Sequence, residues 1–360
     1  MRTFSVALGA RSYPVHVGTG ILDSIGTLAL EAGLSGGRVA IVTDSNVAPL
    51  YLSRVATALD TAKFDPITIE IAAGESSKSL AMLESIYDRL VAANFERGAA
   101  VFALGGGVVG DLAGFAAATY LRGVPLVQVP TTLVAQVDSA LGGKTGVNHR
   151  LAKNLIGAFY EARMVVADVD TLGTLGEREF REGLAEVIKY GAIMDAPLLD
   201  DLERGRDAIA ARDRRELERL VELSLRHKAS VVERDEREAG LRRILNFGHT
   251  VGHALEAAAG YNRYLHGEAV AIGMVAAARL SETYAGLSSD ESERLRTLIA
   301  QAGLPVELPA GWAGEEFARA LNLDKKRAGD KIEFVLLDRL GHALTRRIVC
   351  EEIITELSGG

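Results

Sequence analysis

From Arg38 to Val169 the chain repeats one pattern: a short β-branched run, a glycine-rich or polar turn, then a stretch with helical spacing. Arg38 to Thr43 ends in Asp44 and precedes a helical stretch from about Val47 to Leu59. Ile67 to Ile71 leads into Gly74-Glu75-Ser76-Ser77-Lys78 and a helix to about Ala93. Ala99 to Leu104 leads into Gly105-Gly106-Gly107-Val108-Val109-Gly110-Asp111 and another helix. Leu126 to Val129 and Met164 to Val169 read as two more strands. Alternation of this kind specifies an α/β fold with a mostly parallel, Rossmann-like sheet under helices. Past Thr174 the texture changes, and Glu177 to about Ala302 is almost wholly helical in period, with a late strand pair at Ile332 to Leu337 and Ala343 to Val349. The expected organisation is an α/β domain over residues 1–175 and a mainly helical domain over 176–360.

A chain of 360 residues has room for two such domains. Its net charge of −8 lacks the basic footprint of a nucleic-acid binder. Cys350 is the only cysteine, which fits a reducing compartment. The first residues lead into strand alternation rather than a signal peptide. The most apolar stretches are broken by Asp111 or Arg279, so no membrane span is expected, and a cytoplasmic protein is.

Four places carry chemistry. Gly105, Gly107 and Gly110 have the spacing that lets a backbone approach a pyrophosphate at a helix N-terminus, a weak signal alone. Asp44, at a strand end, either holds ribose hydroxyls or caps the helix that follows. The stretch Pro130-Thr131-Thr132 to Asn148 holds Asp138 and Lys144 beside glycines, with Lys153 and Asn154 beyond; it either contacts a polyhydroxylated anion or is a surface loop with an ion pair. Charge-dense Arg204 to Glu238 reads as a solvated helix face.

The fourth place is the most specific. His249 and His253 are four apart, on one helical face, and His266 follows; such a set suits a divalent metal such as zinc. Glu186 and Lys189 share a face amid Leu184, Ala185, Val187 and Ile188. Charges in apolar company are costly unless paired or functional, so Glu186 joins the histidine constellation.

Taken together, these motifs resemble the 3-dehydroquinate synthase family over nearly the whole chain. The resemblance rests on Gly105 to Asp111, Pro130 to Thr132, Gln136 to Ser139, Gly142 to Asn148, Glu186 to Lys189 and Arg242 to His253, in that order. Ala140-Leu141 and Glu161-Ala162 depart from the family pattern.

The resemblance implies an NAD-binding α/β domain, a helical metal- and substrate-binding domain, an active site between them and a homodimer. It implies zinc or cobalt on Glu186, His249 and His266, with His253 beside the substrate phosphate instead of on the metal. It assigns NAD to Asp44, Asn46, Glu75, Lys78, Gly105, Gly106, Gly107, Val108, Asp111, Thr131, Thr132, Asp138, Lys144 and Lys153. It assigns the sugar-acid phosphate to Arg122, Asp138, Lys144, Asn154, Lys189, Lys228, Arg242, Asn246, His253 and one of Lys325 or Lys326. The implied reaction converts 3-deoxy-D-arabino-heptulosonate 7-phosphate to 3-dehydroquinate and phosphate, in the shikimate pathway to the aromatic amino acids. Two rivals stay open: another sugar-phosphate cyclase, and a metal-dependent polyol dehydrogenase that releases NADH.

Overall fold

A computed structural model of the chain describes residues 1–150, 152–260, 263–309, 312, 327–328 and 331–358. The chain forms two compact units, one of Met1–Leu175 with Arg214–Arg237, the other of Gly176–Asp213 with Glu238–Gly360.

The first unit is built on β1 (Arg2–Val6), β2 (Tyr13–Gly18), β3 (Gly37–Asp44), β4 (Phe64–Ile71), β5 (Ala100–Gly105) and β6 (Leu126–Pro130). A hairpin of β7 (Lys144–His149) and β8 (Ala152–Phe159) precedes β9 (Met164–Asp168). The main sheet runs β1-β2-β9-β6-β5-β3-β4; β1 is antiparallel to β2, and the remaining neighbours are parallel. Strands β5, β6 and β9 are buried at every position, as continuous apolar runs should be in a sheet covered on both faces. The chain leaves β3 for β4 on one side and then returns to β5 on the other. The order reverses there, and at such a point loops part and leave a crevice beyond the strand ends. Asp44 ends β3 and Gly105 ends β5.

Two sequence expectations change in this unit. The first division assigned all of 176–360 to one domain, but Arg214–Arg237 belongs with the first unit. Its helix, Arg214–Val232, hides an apolar stripe (Leu217, Leu220, Val221, Leu225, Ala229, Val232) beneath its charges. That stripe packs toward β2 and the turn Ala135–Ser139, while Arg2–Glu222 and Arg11–Glu236 ion pairs line its rim. The solvated-face reading therefore describes only one side of this helix. The other change lies after Pro130. The expected polar connection to Asn148 contains the helical turn Ala135–Ser139 and then β7, and Gly142 and Gly143 reverse the chain between them with φ of 92° and 65°.

In the second unit, Glu177–Met194 and Ala196–Ala210 are followed by His249–Ala258, His266–Tyr284 and Ser289–Gln301, all helices. Strands Lys331–Arg339 and His342–Val349 pair antiparallel, and a last helix spans Cys350–Ser358. Among the described residues, no helix is long and apolar enough to cross a membrane.

Candidate metal centre and dinucleotide turn

In the second unit three helices meet at glycines. A Cβ on Gly267 would stand 2.0 Å from the Glu182 carbonyl oxygen, and one on Gly273 would stand 1.9 Å from that of Gly248. Only glycine permits this approach, which sets the start of His266–Tyr284 against Glu177–Met194 and its middle against the start of His249–Ala258. The result is a cluster. Glu186 Oε1 lies 3.5 Å from His266 Nε2 and 3.6 Å from His249 Nε2, and one donor atom from each residue falls within 4.8 Å of the others. Glu186 and Lys189 form an ion pair, each side chain 1% exposed.

The electrostatics of the two histidines differ. Burial holds His249 well below its ordinary value, against the pull of Glu186. Its Nδ1 lies 3.1 Å from the Phe247 carbonyl oxygen, so Nδ1–H donates and Nε2 keeps a lone pair facing Glu186. For His266, burial also disfavours charge, but hydrogen bonds to Glu186 and Glu256 outweigh it and push the ring up to about 10. A place that holds a proton so tightly favours a cation. Two imidazoles and a carboxylate are the donors of a three-ligand catalytic zinc site, so the residues fit a divalent ion.

His253 is exposed and has its ring centroid 5.3 Å from that of His249 and 5.9 Å from that of His266. The first pairing of His249 with His253 is thus not the closest donor set around Glu186; His253 groups instead with Glu256 and His266. Glu256 escaped the sequence reading, although it lies three residues after His253 on the same helical face. Arg242 is 1% exposed, and Asn246 donates to Glu238 at 2.7 Å. Lys325 and Lys326 lie outside the described residues.

In the first unit, Gly105 makes the turn from β5 into the helix Gly107–Thr119, because a Cβ there would meet Val109 at 2.6 Å. A Cβ on Gly106 would fill the space up to Thr132 at 3.0 Å, leaving a cradle. Thr131 Oγ1, buried beside it, has no hydrogen-bond partner among the described residues. A cradle, an open hydroxyl and a helix N-terminus fit a pyrophosphate. Val108 lies in the first turn of that helix. Asp44 Oδ1 accepts from the amides of Asn46 and Val47 at 2.9 and 3.1 Å, closing the turn before the helix Ala48–Leu52, whose N-cap position is Val47.

The polar residues around the turn bind one another. Lys78 Nζ donates to Asp111 and to Asn154, and Asn148 donates to Glu75 at 2.7 Å while accepting from the Asn154 amide at 2.8 Å. Burial raises Asp111 above the usual carboxylate range, against the pull of Lys78. Lys228, buried, contacts Asp138 at 3.0 Å and its carbonyl at 2.8 Å. Arg122 and Lys144 are exposed, and Lys153 is half-buried.

This architecture is that of the sugar-phosphate cyclases. It superposes with a TM-score of 0.90 on 2-deoxy-scyllo-inosose synthase, solved with carbaglucose-6-phosphate, NAD+ and Co2+, at 25% identity and with both chains covered in full. It also matches 2-epi-5-epi-valiolone synthase from Streptomyces hygroscopicus, solved with NAD+ and Zn2+, with a TM-score of 0.88, 31% identity and coverage of 98% of this chain and 97% of that one. Residues 68–182 match the 3-dehydroquinate synthase N-terminal family and residues 183–327 its C-terminal counterpart. A curated 3-dehydroquinate synthase from Geobacter metallireducens is 53% identical, over 95% of this chain and 94% of that one. The chain belongs to the 3-dehydroquinate synthase family, and its activity is the family's phosphate-eliminating carbon–oxygen lyase reaction.

Proposed function

We propose that the chain turns 3-deoxy-D-arabino-heptulosonate 7-phosphate into 3-dehydroquinate with two sets of residues, one for NAD and one for a divalent ion and the substrate. The observation that carries this reading is the Glu186–His249–His266 cluster, with Glu186 and His249 buried and His266 partly so. These three side chains hold the ion, and Lys189 offsets the charge of Glu186. In the other unit the Gly105–Gly107 turn and Thr131 receive the pyrophosphate, with Asp44 and Asn46 at the neighbouring strand end and Thr132, Glu75, Lys78 and Asp111 around it. When bound, NAD carries the hydride and the ion lowers the pKa of substrate hydroxyls and polarises a carbonyl.

The other residues bind and orient. In the second unit Lys189 and His253 donate to the phosphate, which takes up the proton lost in its own elimination, and in the first unit Lys144 and Asn154 are further donors for an anionic ligand. Arg242 receives the carboxylate, and Asn246 lies on the same turn. Lys228 fixes Asp138 so that the carboxylate addresses a substrate hydroxyl. Arg122 and Lys153 add positive charge for an anionic substrate. The protein works in the cytoplasm as a homodimer.

The test is phosphate release from the heptulosonate phosphate by purified protein with catalytic NAD. Phosphate without net NADH is the expected result. Stoichiometric NADH would make it a polyol dehydrogenase, and comparable turnover of sedoheptulose 7-phosphate would move it to a sister cyclase.

A further inference from the structure

We infer that Glu256 is a positioning residue that sets the ring of His266, and so tunes how tightly the centre holds its ion; this rests on the metal centre proposed above. Glu256 is a carboxylate only 4% exposed. Its Oε2 lies 3.5 Å from His266 Nδ1, while Nε2 of the same ring lies 3.5 Å from Glu186 Oε1. One imidazole thus spans two buried carboxylates. The acceptor at Nδ1 selects the tautomer that leaves the Nε2 lone pair for a ligand bond, and it fixes the plane of the ring.

The need for such a restraint is specific to His266. His249 is 11% exposed at its side chain and takes its orientation from a neutral acceptor, the Phe247 carbonyl. His266 is the first residue of its helix, with a side chain 34% exposed, so packing fixes its ring less firmly. A buried carboxylate is costly to keep. Its placement at the nitrogen facing away from Glu186 gives it a role that an apolar residue cannot fill. A carboxylate also makes the imidazole a better electron donor to the ion than a carbonyl does. The rival reading makes Glu256 a ligand itself, since His253, Glu256 and His266 also bring donor atoms within 4.8 Å of one another. Held in addition to the Glu186 set, such an ion would require the His266 ring to bridge two ions as an imidazolate and predicts two ions per chain; held in place of that set, it predicts one ion whose affinity His249→Ala leaves unchanged.

The experiment titrates Zn2+ into the metal-free full chain and into Glu256→Gln, Glu256→Ala, His249→Ala and His266→Ala, and records the visible spectrum of the Co2+ forms. Glu256→Gln keeps the volume and a hydrogen-bond acceptor but loses the charge. It is expected to bind one ion about tenfold more weakly, with a shifted Co2+ band and an unchanged melting temperature of the metal-free protein; Glu256→Ala should approach about a hundredfold. If Glu256→Ala does not fold, Glu256→Gln decides alone. Wild-type affinity and spectrum in Glu256→Gln overturn the inference. So does a loss of affinity matched by a fall in metal-free melting temperature, which marks a packing role. Two ions in the wild type, one of them lost in Glu256→Gln, overturn it in favour of a second cation site. His266→Ala is the separate control: if it binds Zn2+ normally, the metal centre itself is misassigned.

Discussion

The metal cluster holds charge in a buried place and the dinucleotide turn holds it in a partly exposed one, by opposite means. Around Glu186 the backbone does the work. Helices approach at Gly267 and Gly273 until no side chain fits between them, and the ligand atoms arrive within a few ångströms as a consequence. Around Gly105 the side chains do it, because Lys78, Asp111, Asn154, Asn148 and Glu75 satisfy one another across loops and a hairpin. The first arrangement is a property of the packing and tolerates little change. The second is a network of local bonds, each contributing about 1 kcal/mol and open to exchange when a ligand supplies better partners.

The largest effect should come from breaking the rigid cluster. Exhaustive chelation is expected to abolish turnover, with Zn2+ or Co2+ restoring it, and full activity in verified metal-free protein would refute this. His266→Ala should lose the ion, and His253→Ala should keep it and lose rate. The pH dependence follows from His266. Its raised value, about 10, means the metal-free ring is protonated at neutral pH, and an ion at Nε2 must displace that proton. Affinity should therefore rise with pH, about tenfold per unit between 6 and 8. A flat profile would show that no proton leaves and that His266 is not a ligand.

Next comes Arg242, the largest fully buried side chain among the described residues. A charged hydrogen bond to the substrate carboxylate is typically worth about 1.5–3 kcal/mol, so Arg242→Ala should lower kcat/KM by roughly one to two decades. A near-neutral result in folded protein would leave Arg242 a structural residue and reopen the choice among cyclases.

This contrast also explains what the sequence made legible. Short β-branched runs placed the parallel strands β3, β4, β5, β6 and β9 and the late hairpin, and period-3.6 spacing placed the helices of the second unit, because each helix buries one face. The histidine spacing drew attention to the cluster, but the choice among histidines was not local. His266 joins Glu186 only because Gly267 and Gly273 let its helix close in, and that proximity is invisible in the spacing of 249, 253 and 266. Glu256 was overlooked for the same reason. The helix Arg214–Val232 was misplaced because its charges outnumber a stripe that is apolar only when read every third or fourth residue. Around the turn, residue types were readable and partners were not, since pairs such as Lys78 with Asn154 are 76 positions apart.

The turn's network should yield smaller effects. Lys78→Ala removes the cation that opposes the burial-driven rise of Asp111. A carboxylate whose folded pKa is raised costs stability progressively as pH climbs from the ordinary carboxylate value to the raised one, so the loss should be small in acid, where Asp111 is protonated in both forms, and larger at neutral pH. Its size should be about 1–3 kcal/mol, measured by urea denaturation. A loss independent of pH would show that Lys78 acts through packing alone.

Asp44 should show the smallest effect on stability and gives the finest test of the contrast. Its Oδ1 already accepts from the amides of Asn46 and Val47, so part of the side chain is committed to the backbone, as in the rigid mode. It also ends β3 at the switch point, where a carboxylate can receive two ribose hydroxyls and repels a 2′-phosphate. The two roles separate by substitution. Asp44→Asn keeps an acceptor for the amides and removes the charge; Asp44→Ala removes both. If closing that turn is its only role, Asp44→Ala loses about 1 kcal/mol of stability, Asp44→Asn loses little, and the KM for NAD is unchanged in both. If Asp44 also reads the ribose, both variants raise the KM for NAD, and Asp44→Asn narrows the preference for NAD over NADP while remaining as stable as the parent. The second pattern is expected, because the end of a strand beside the Gly105 turn is where the adenosine end of a dinucleotide lies when its pyrophosphate sits on the helix N-terminus. Equal use of NAD and NADP by the unaltered protein would reduce Asp44 to a turn residue.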